Sequence, residues 1–170
     1  MQLEDLYRVT FTTPESWTVT RPGGDGAATG AAKGTEGQSF LIAEGRAEGR
    51  LSARYRAANY PRRRADGALE PSFRGVLETD DGATILFRWD GLATMTPSGM
   101  RQLLGMIQHV TDDDRYAWLN DRVCALEGEV RPRAQGDGFN VVLRVHMMTW
   151  EPITDPREQP ANVADLDRIP

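Results

Sequence analysis

The chain has 170 residues, of which 39% are hydrophobic and 26% are charged, and its formal net charge at pH 7 is −5. This length corresponds to about one domain with one core, and the composition is that of a globular protein. The negative charge opposes general binding to nucleic acid, and no apolar run reaches the roughly 20 residues that a membrane-spanning helix needs. We therefore expect no nucleic-acid or membrane partner.

The start of the chain and its single cysteine indicate a cytoplasmic location. Residues 1–7 carry acids where a signal peptide has basic and then apolar residues. Cys124 has no second cysteine with which to form an internal disulfide, which agrees with a reducing compartment. It lies in the apolar run VCAL, so we interpret it as a packing thiol rather than a nucleophile.

Seven short runs of alternating residues follow one another along the chain, separated by Gly, Pro and Asp. In order they are YRVTFT, SFLIAEG, RLSARYRA, FRGVLET, ATILFRW, RVCALEGEV and FNVVLRVHMMTW. Several short strands with turns between them are typical of a sandwich or a barrel. The DDG at residues 80–82 further predicts a hairpin whose arms are residues 73–79 and 83–89.

An eighth segment is ambiguous. SGMRQLLGMIQHVTDD puts Met100, Leu103, Leu104 and Ile107 at helical spacing, which on its own indicates an amphipathic helix. The glycines within the segment weaken a helix, and residues 107–111 suit a strand. In this β-rich context we favour the strand.

Two segments lack the pattern of a packed element. Residues 21–37 are rich in Gly and Ala, which predicts a flexible surface loop, with a lid over a pocket as the alternative. Residues 151–170 contain four prolines and no period, which predicts an extended or disordered tail. The sequence thus divides into one β domain at residues 1–150 and a Pro-rich tail at residues 151–170.

Seven arginines crowd a short span in which Tyr55 and Tyr60 are interleaved, a composition found in grooves for single-stranded nucleic acid. We favour a simpler interpretation, a strand with solvated outward arginines followed by a charged loop at PRRRADG. An anionic small ligand is preferred to nucleic acid. The seven are Arg46, Arg50, Arg54, Arg56, Arg62, Arg63 and Arg64.

Three blocks of the sequence resemble a known family. RGVLETDDGATILFRWDG at residues 74–91, HVTDDDRYAWLND at residues 109–121 and GEVR at residues 128–131 are similar to the uncharacterised family called domain of unknown function 3237. The resemblance implies an all-β fold, a single antiparallel β-barrel with a lipocalin-like or allene-oxide-cyclase-like outline, and no established activity. The family often has an acid followed by Trp where this chain has Asn59 and Tyr60.

In a barrel of about eight strands, the interior is either filled by side chains or holds one small ligand, and inward residues alternate along each strand. This alternation predicts that Phe73, Leu77 and Trp89 share one face of the hairpin and that Glu78 and Arg88 share the other. We interpret Glu78 and Arg88 as an exposed cross-strand ion pair. The alternative places the pair inside the barrel, where its desolvation cost would indicate a function.

The segment DDDRYAWLNDR also has two interpretations. We favour a structural role, in which the acids at residues 112–114 cap a turn and Tyr116, Trp118 and Leu119 plug one end of the barrel. Asn120 would then hold the connecting backbone by hydrogen bonds. The functional alternative places Trp118 and Asn120 at the mouth of a pocket.

The candidate site residues follow from these arguments. Histidines titrate near neutrality, carboxylates move protons and arginines stabilise negative charge, so the candidate catalytic residues are Glu78, Arg88, His109 and His146. The candidate ligand-binding residues are Arg54, Asn59, Tyr60, Trp89, Trp118 and Asn120. No HxH, HExxH, paired-cysteine, GxSxG, GxGxxG or Walker pattern occurs, so we expect neither a metal nor a cofactor.

Two functional classes fit this barrel. The first is a cofactor-free enzyme of the isomerase, cyclase or lyase type that uses proton transfer on a small, partly apolar organic substrate. The second is a binder or carrier of such a molecule without chemistry. The enzyme is favoured by analogy with barrels of similar outline alone. We also expect a homo-oligomer, most simply a dimer, because apolar residues occur on both strand faces.

Overall fold

The computed structural model describes residues 2–20, 37–133 and 138–151, and in this part of the chain there are ten β-strands and one short 3-10 turn. Most of the predicted loop and nearly all of the predicted tail lie outside these described residues. The strands are β1 (Gln2–Thr20), β2 (Gly37–Gly49), β3 (Ala53–Asn59), β4 (Arg62–Arg63), β5 (Leu69–Glu70), β6 (Ser72–Thr79), β7 (Thr84–Met95), β8 (Arg101–Val110), β9 (Val123–Pro132) and β10 (Phe139–Thr149).

Eight of these strands form a closed antiparallel barrel. Its order is β1, β2, β3, β6, β7, β8, β9, β10 and back to β1, and the short β4 and β5 form a small hairpin beside β2 and β7. Closure depends on β1, in which Val9 lies opposite Ala47 of β2 and opposite Leu143 of β10. The predicted all-β barrel is confirmed, and the ambiguous eighth segment is the strand β8.

Alternation decides which side chains enter the barrel, because successive residues of a strand point to opposite faces. In β7, Ile85, Phe87 and Trp89 are buried, whereas Leu86 and Arg88 between them are exposed. The same alternation buries every second residue of β10 from residue 143 to residue 147. The faces predicted for the hairpin are confirmed.

The predicted hairpin forms from β6 and β7 around residues 80–82. Gly82 has φ of 90°, a left-handed conformation that favours glycine. The Ala83 N–H donates to Thr79 Oγ1 at 2.7 Å, and the Thr79 N–H donates to the Ala83 carbonyl at 2.9 Å. These bonds fix the register of the two arms.

That register contradicts the predicted ion pair. Glu78 lies opposite Thr84, and Arg88 lies opposite Arg74. Glu78 is next to the turn, so Arg88 is four residues further along β7 than its partner, about 13 Å away along the strand. Glu78 instead accepts a hydrogen bond from Arg56 Nη2 at 2.9 Å, across the neighbouring pair of strands.

The charged loop predicted at PRRRADG is also corrected. It contains β4, whose residues Arg62 and Arg63 pair with Glu70 and Leu69 of β5. Successive residues of a paired strand point to opposite sides. Arg62 therefore faces solvent, whereas only 9% of Arg63 is exposed. One of the arginines interpreted as solvated is therefore buried.

Aromatic rings fill the centre of the barrel. Phe11 stacks on Tyr55 with ring centroids 5.1 Å apart, and Tyr55 stacks on Phe87 at 4.9 Å. Phe73 stacks on Trp89 at 4.2 Å. The middle of the barrel is thus a packed core rather than a ligand chamber.

A glycine on β6 makes room for this core. A Cβ atom at Gly75 would lie 2.5 Å from Cζ of Phe87 and 2.4 Å from the carbonyl oxygen of Arg56. The ring of Phe87 therefore occupies space that any other residue at position 75 would fill.

One end of the barrel is closed by the 3-10 turn at Ala117–Leu119, and we call it the plugged end. Leu119 is fully buried, and Trp118 and Tyr116 pack partly buried against the core. Asn120 Oδ1 accepts from the Thr111 N–H and Asn120 Nδ2 donates to the Thr111 carbonyl, both at 2.9 Å. These contacts confirm the structural interpretation of DDDRYAWLNDR.

Candidate functional site

Two arginines point inward at the end of the barrel opposite the plug. Arg101 is the first residue of β8 and shares the inward register of Leu103 and Ile107. Arg63 is buried on β4. We call this the arginine end.

The strand registers connect these two arginines across the barrel mouth. Arg63 lies opposite Leu69, Leu69 opposite Ala93, and Ala93 opposite Leu103, two residues from Arg101. Burial, and then the positive charge of Arg63, lower the pKa of Arg101. Nη1 of Arg101 is buried and has no hydrogen-bond partner among the described residues.

A cavity of about 420 Å³ adjoins Arg101. Its walls are largely apolar and include Met95, Met100, Val130 and Phe139. Apolar walls with one polar group that fixes orientation are what a small-molecule site requires.

A second polar pair lies inside the barrel, nearer the plugged end. The Tyr7 hydroxyl and His109 Nε2 are 2.6 Å apart, and only 1% of His109 is exposed. Nδ1 of His109 is buried and lacks a hydrogen-bond partner within the described part of the chain. Burial lowers the pKa of His109 to about 4, so its imidazole is neutral at pH 7, and burial raises the pKa of Tyr7.

These two polar groups are too far apart to contact one small ligand. His109 and Arg101 are eight residues apart on β8, which is about 27 Å along an extended strand. The aromatic core lies between them. A site that uses His109 is therefore separate from a site that uses Arg101.

The other candidate catalytic residues lie on the outer face of the barrel. Glu78 is paired with Arg56, and both side chains are 43% exposed. The guanidinium of Arg88 donates to Gln108 Oε1 at 2.9 Å from Nε and 2.6 Å from Nη2. Neither residue faces the interior or the cavity at the arginine end.

His146 is also on the outer face, where it lies between two carboxylates. Its Nδ1 is 2.8 Å from Asp5 Oδ1, and its Nε2 is 3.4 Å from Glu127 Oε1. The structure therefore brings His109 and His146 to opposite sides of the barrel wall, and it does not join them with Glu78 or Arg88 in one site.

The candidate ligand-binding residues are dispersed in the same way. Trp89 is fully buried in the aromatic core, and Asn59 is buried with its Oδ1 accepting from the Ser72 N–H at 2.9 Å. Tyr60 is exposed and lines a separate outer cavity with Ser72 and Asp90. Asn59 and Tyr60 share Ser72 as a neighbour, but one is buried and the other exposed, so these three side chains do not line one pocket.

The remaining candidates are at the plugged end and on the outer wall. Arg50 places its guanidinium 4.9 Å above the ring of Trp118, next to Asn120 and its backbone bonds. Arg54 is exposed on β3, 3.9 Å from Glu44. The predicted set therefore forms no single pocket in the described part of the chain.

Neither residue of the arginine end is among the candidate site residues predicted from the sequence. Arg101 carried a usable signal, since an arginine in phase with Leu103 and Ile107 is a charge in the inward register of a barrel strand. Arg63 was considered only as one of the seven clustered arginines, and as the middle residue of three consecutive arginines it had no local signal that set it apart.

The described residues contain neither a cluster of metal ligands nor a helix that could cross a membrane. No group of three or more His, Cys, Asp or Glu side chains in residues 2–20, 37–133 and 138–151 could hold a metal ion. Within the same ranges, no helix has the length and apolar character needed to cross a membrane.

The fold defines a small, closed, antiparallel β-barrel of eight strands with a packed centre. The chain belongs to the family described as protein of unknown function DUF3237, which matches residues 8–148. No curated protein matches the chain.

Several solved structures share this fold. A β-barrel like protein from Acinetobacter baumannii AYE has a TM-score of 0.65 and 21% identity, covering 86% of this chain and 94% of that one. A protein of unknown function from Clostridium acetobutylicum ATCC 824 has a TM-score of 0.64 and 18% identity, covering 88% and 100%. A protein from Penicillium herquei described as an enzyme has a TM-score of 0.55 and 18% identity, covering 85% and 93%.

Proposed function

We propose that the protein binds a small, partly apolar organic molecule in the cavity at the arginine end. The observation that carries this proposal is the cavity itself, about 420 Å³ in volume and lined by Met95, Met100, Val130 and Phe139 beside Arg101. Its volume is within the range of small-molecule pockets, and its composition is the usual one of apolar walls and few polar groups. The packed centre favours binding at this mouth over binding in the middle of the barrel.

Filling the cavity tests the proposal. Met100→Trp enlarges a side chain that lines the cavity, and Met106→Trp makes the same change on the outer face of β8 away from it. We expect 1-aminoanthracene, a neutral fluorescent probe, to bind the wild-type protein and Met106→Trp alike and to bind Met100→Trp at least tenfold more weakly. Equal binding to the two variants would contradict the proposal.

Native mass spectrometry of the freshly purified chain complements this titration. We expect an added mass that disappears on denaturation, and its value would identify a ligand. The same ligand should be lost from Met100→Trp and retained by Met106→Trp. Retention by both would place the ligand outside the cavity.

A second candidate function is a cofactor-free enzyme that uses proton transfer, of the isomerase, cyclase or lyase type. The observation that favours it is the desolvated pair of His109 and Tyr7, because a neutral imidazole can accept a proton from a substrate. The Penicillium herquei neighbour is described as an enzyme, which agrees with this candidate at the level of the fold alone. Such chemistry requires the barrel to open around His109, because only 1% of this residue is exposed.

Deuterium incorporation tests the catalytic candidate. The ligand recovered from the protein is incubated with it in heavy water, and its mass is followed for exchange at carbon. Proton transfer through His109 predicts uptake with the wild-type protein and with Gln108→Asn, an outer-face control on the same strand, and none with His109→Asn. Uptake unaffected by His109→Asn would exclude His109 as the base.

A further inference from the structure

We propose that the ligand of the arginine end is an organic anion whose carboxylate binds Arg101 beside Arg63, with its apolar part in the adjoining cavity. This inference rests on the proposed function and adds the charge of the ligand and the group that holds it.

Arg101 lies among apolar strand neighbours. Its cross-strand partners are Met95 on β7 and Val130 on β9. The thioether of Met95 is only a weak acceptor, and the side chain of Val130 accepts no hydrogen bond. Its Nη1 is buried without a hydrogen-bond partner among the described residues. A buried donor in this state loses its bonds to water without replacement.

Other arginines of the barrel are held by acids. Arg50 pairs with Glu4, Arg62 with Glu70, Arg74 with Asp90, Arg115 with Asp113, and Arg144 with Glu127. Arg101 makes no such pair with the residues that the structure describes. Arg101 is partly buried, and it lies close enough to the buried Arg63 for the two charges to repel. A guanidinium with a buried unbonded donor, no acid beside it among the described residues and a second positive charge nearby favours a bound anion.

A carboxylate fits this arrangement better than a neutral polar group. A guanidinium presents its N–H groups in a plane that matches the two oxygens of a carboxylate, and charge-assisted bonds of this kind are roughly twice as strong as neutral ones. The walls formed by Met95, Met100 and Phe139 suit the apolar part of the same molecule. The ligand class is therefore a small carboxylic acid with an alkyl or aryl body.

Isothermal titration with two probes of matched shape tests the inference. Octanoate and octanamide differ in charge while sharing the alkyl chain. We expect the wild-type protein to bind octanoate at least tenfold more tightly than octanamide, a difference of about 1.4 kcal/mol. Arg101→Met, which keeps the length of the side chain and removes its charge, should bind both probes with the weaker affinity.

The control is Arg131→Met, the same change on β9 at an exposed arginine that pairs with Glu129 and does not line this cavity. It should keep the preference for octanoate. Equal binding of the two probes to the wild-type protein would contradict the inferred preference for a carboxylate but not the proposed binding in the cavity. Binding of neither probe would overturn both.

Thermal unfolding without ligand gives an independent result. Removing a partly buried charge that lacks an acidic partner among the described residues should raise the melting temperature of Arg101→Met above that of the wild type, whereas Arg131→Met should change it little. A clearly lower melting temperature for Arg101→Met than for the wild type would mean that an acid of the chain itself already neutralises Arg101. The inference would then be wrong.

Discussion

At the residue scale, the most unusual side chain of the barrel is His109. It is nearly inaccessible to water, one ring nitrogen contacts the Tyr7 hydroxyl, and the other lacks a partner among the described residues. Burial lowers its pKa to about 4, which means that folding selects the neutral imidazole. Cys124 lies nearby and contributes to raising the pKa of Tyr7. This part of the core therefore tolerates polarity but not charge.

His109 should make the protein sensitive to mild acid. Its folded pKa of about 4 is below the ordinary value of 6.5, so its contribution to stability is present above pH 6.5 and is lost as the pH falls towards 4. Between pH 7 and pH 5 we expect the free energy of unfolding to fall by about 2 kcal/mol from this group. Urea denaturation at both pH values checks this.

The matched variants separate His109 from other groups that titrate in this range. His109→Gln should abolish most of the difference between pH 7 and pH 5, although it lowers stability at both. His146→Gln changes the other histidine, on the outer face between Asp5 and Glu127, and should retain the difference. A difference that survives in His109→Gln would assign the sensitivity to another group.

At the element scale, the 3-10 turn at Ala117–Leu119 closes the plugged end with a single fully buried leucine. The turn belongs to the connection between β8 and β9. Asn120 fixes it to Thr111, the residue that follows β8, through two hydrogen bonds. Arg115 and Tyr116 add contacts to Asp81 in the β6–β7 turn. The plug is therefore fastened to two neighbouring connections of the barrel.

Removing the plug side chain should cost much more than removing an exposed leucine. Leu119→Ala should lower the free energy of unfolding by about 2–5 kcal/mol, because it leaves a cavity in the core. Leu104→Ala, at an outer position of β8 that is 54% exposed, should change it by about 0.5 kcal/mol or less. Equal losses in denaturant titrations would show that Leu119 is not part of the core.

At the scale of the whole molecule, apolar side chains occupy part of the outer wall as well as the centre. Leu86, Leu104, Met106 and Val110 are exposed on the outer face of β7 and β8, where Leu86 lies opposite Val110. The Arg88 and Gln108 pair lies within this patch, between Leu86 and Met106, and a patch of exposed apolar residues often marks a contact surface. The homo-oligomer expected from the sequence stays a prediction that this face motivates.

Light scattering on a size-exclusion column checks that prediction. We expect twice the monomer mass for the wild-type chain at micromolar concentration, and a monomer for Met106→Glu, which places a charge in the middle of the patch. Thr94→Glu, on the outer face of β7 outside the patch, should leave the mass unchanged. A monomer mass for the wild-type chain would contradict the predicted homo-oligomer.

Local patterns were sufficient to predict seven of the eight barrel strands, but they left β8 ambiguous and did not predict the short β4 and β5. Each run of alternating residues became a barrel strand because one side of every strand is buried and the other meets water. The hairpin at residues 80–82 was predictable because its turn chemistry is local. Barrel closure came from the family resemblance, since the pairing of β1 with β10 joins residues far apart in sequence.

The site was less predictable for the same reason. Glu78 pairs with Arg56 rather than Arg88 because the register of β3 against β6 makes Arg56 its diagonal neighbour, and no local pattern specifies that register. The convergence of Arg63 and Arg101 depends on three successive strand pairings. Side chains that meet across several strands are therefore found in the structure and not in the sequence.

Pairing of β1 with β10 closes the barrel, and it also determines when during synthesis the chain can finish folding. Gln2 lies opposite Thr149, so the last seam joins segments from opposite ends of the described chain. Such distant pairings make folding slow, and a ribosome must have released β10 before the ring can close. Until then one edge of β1 has unpaired N–H and C=O groups that can pair with another chain. Nascent chains of this protein are therefore most prone to aggregation in the interval before β10 docks.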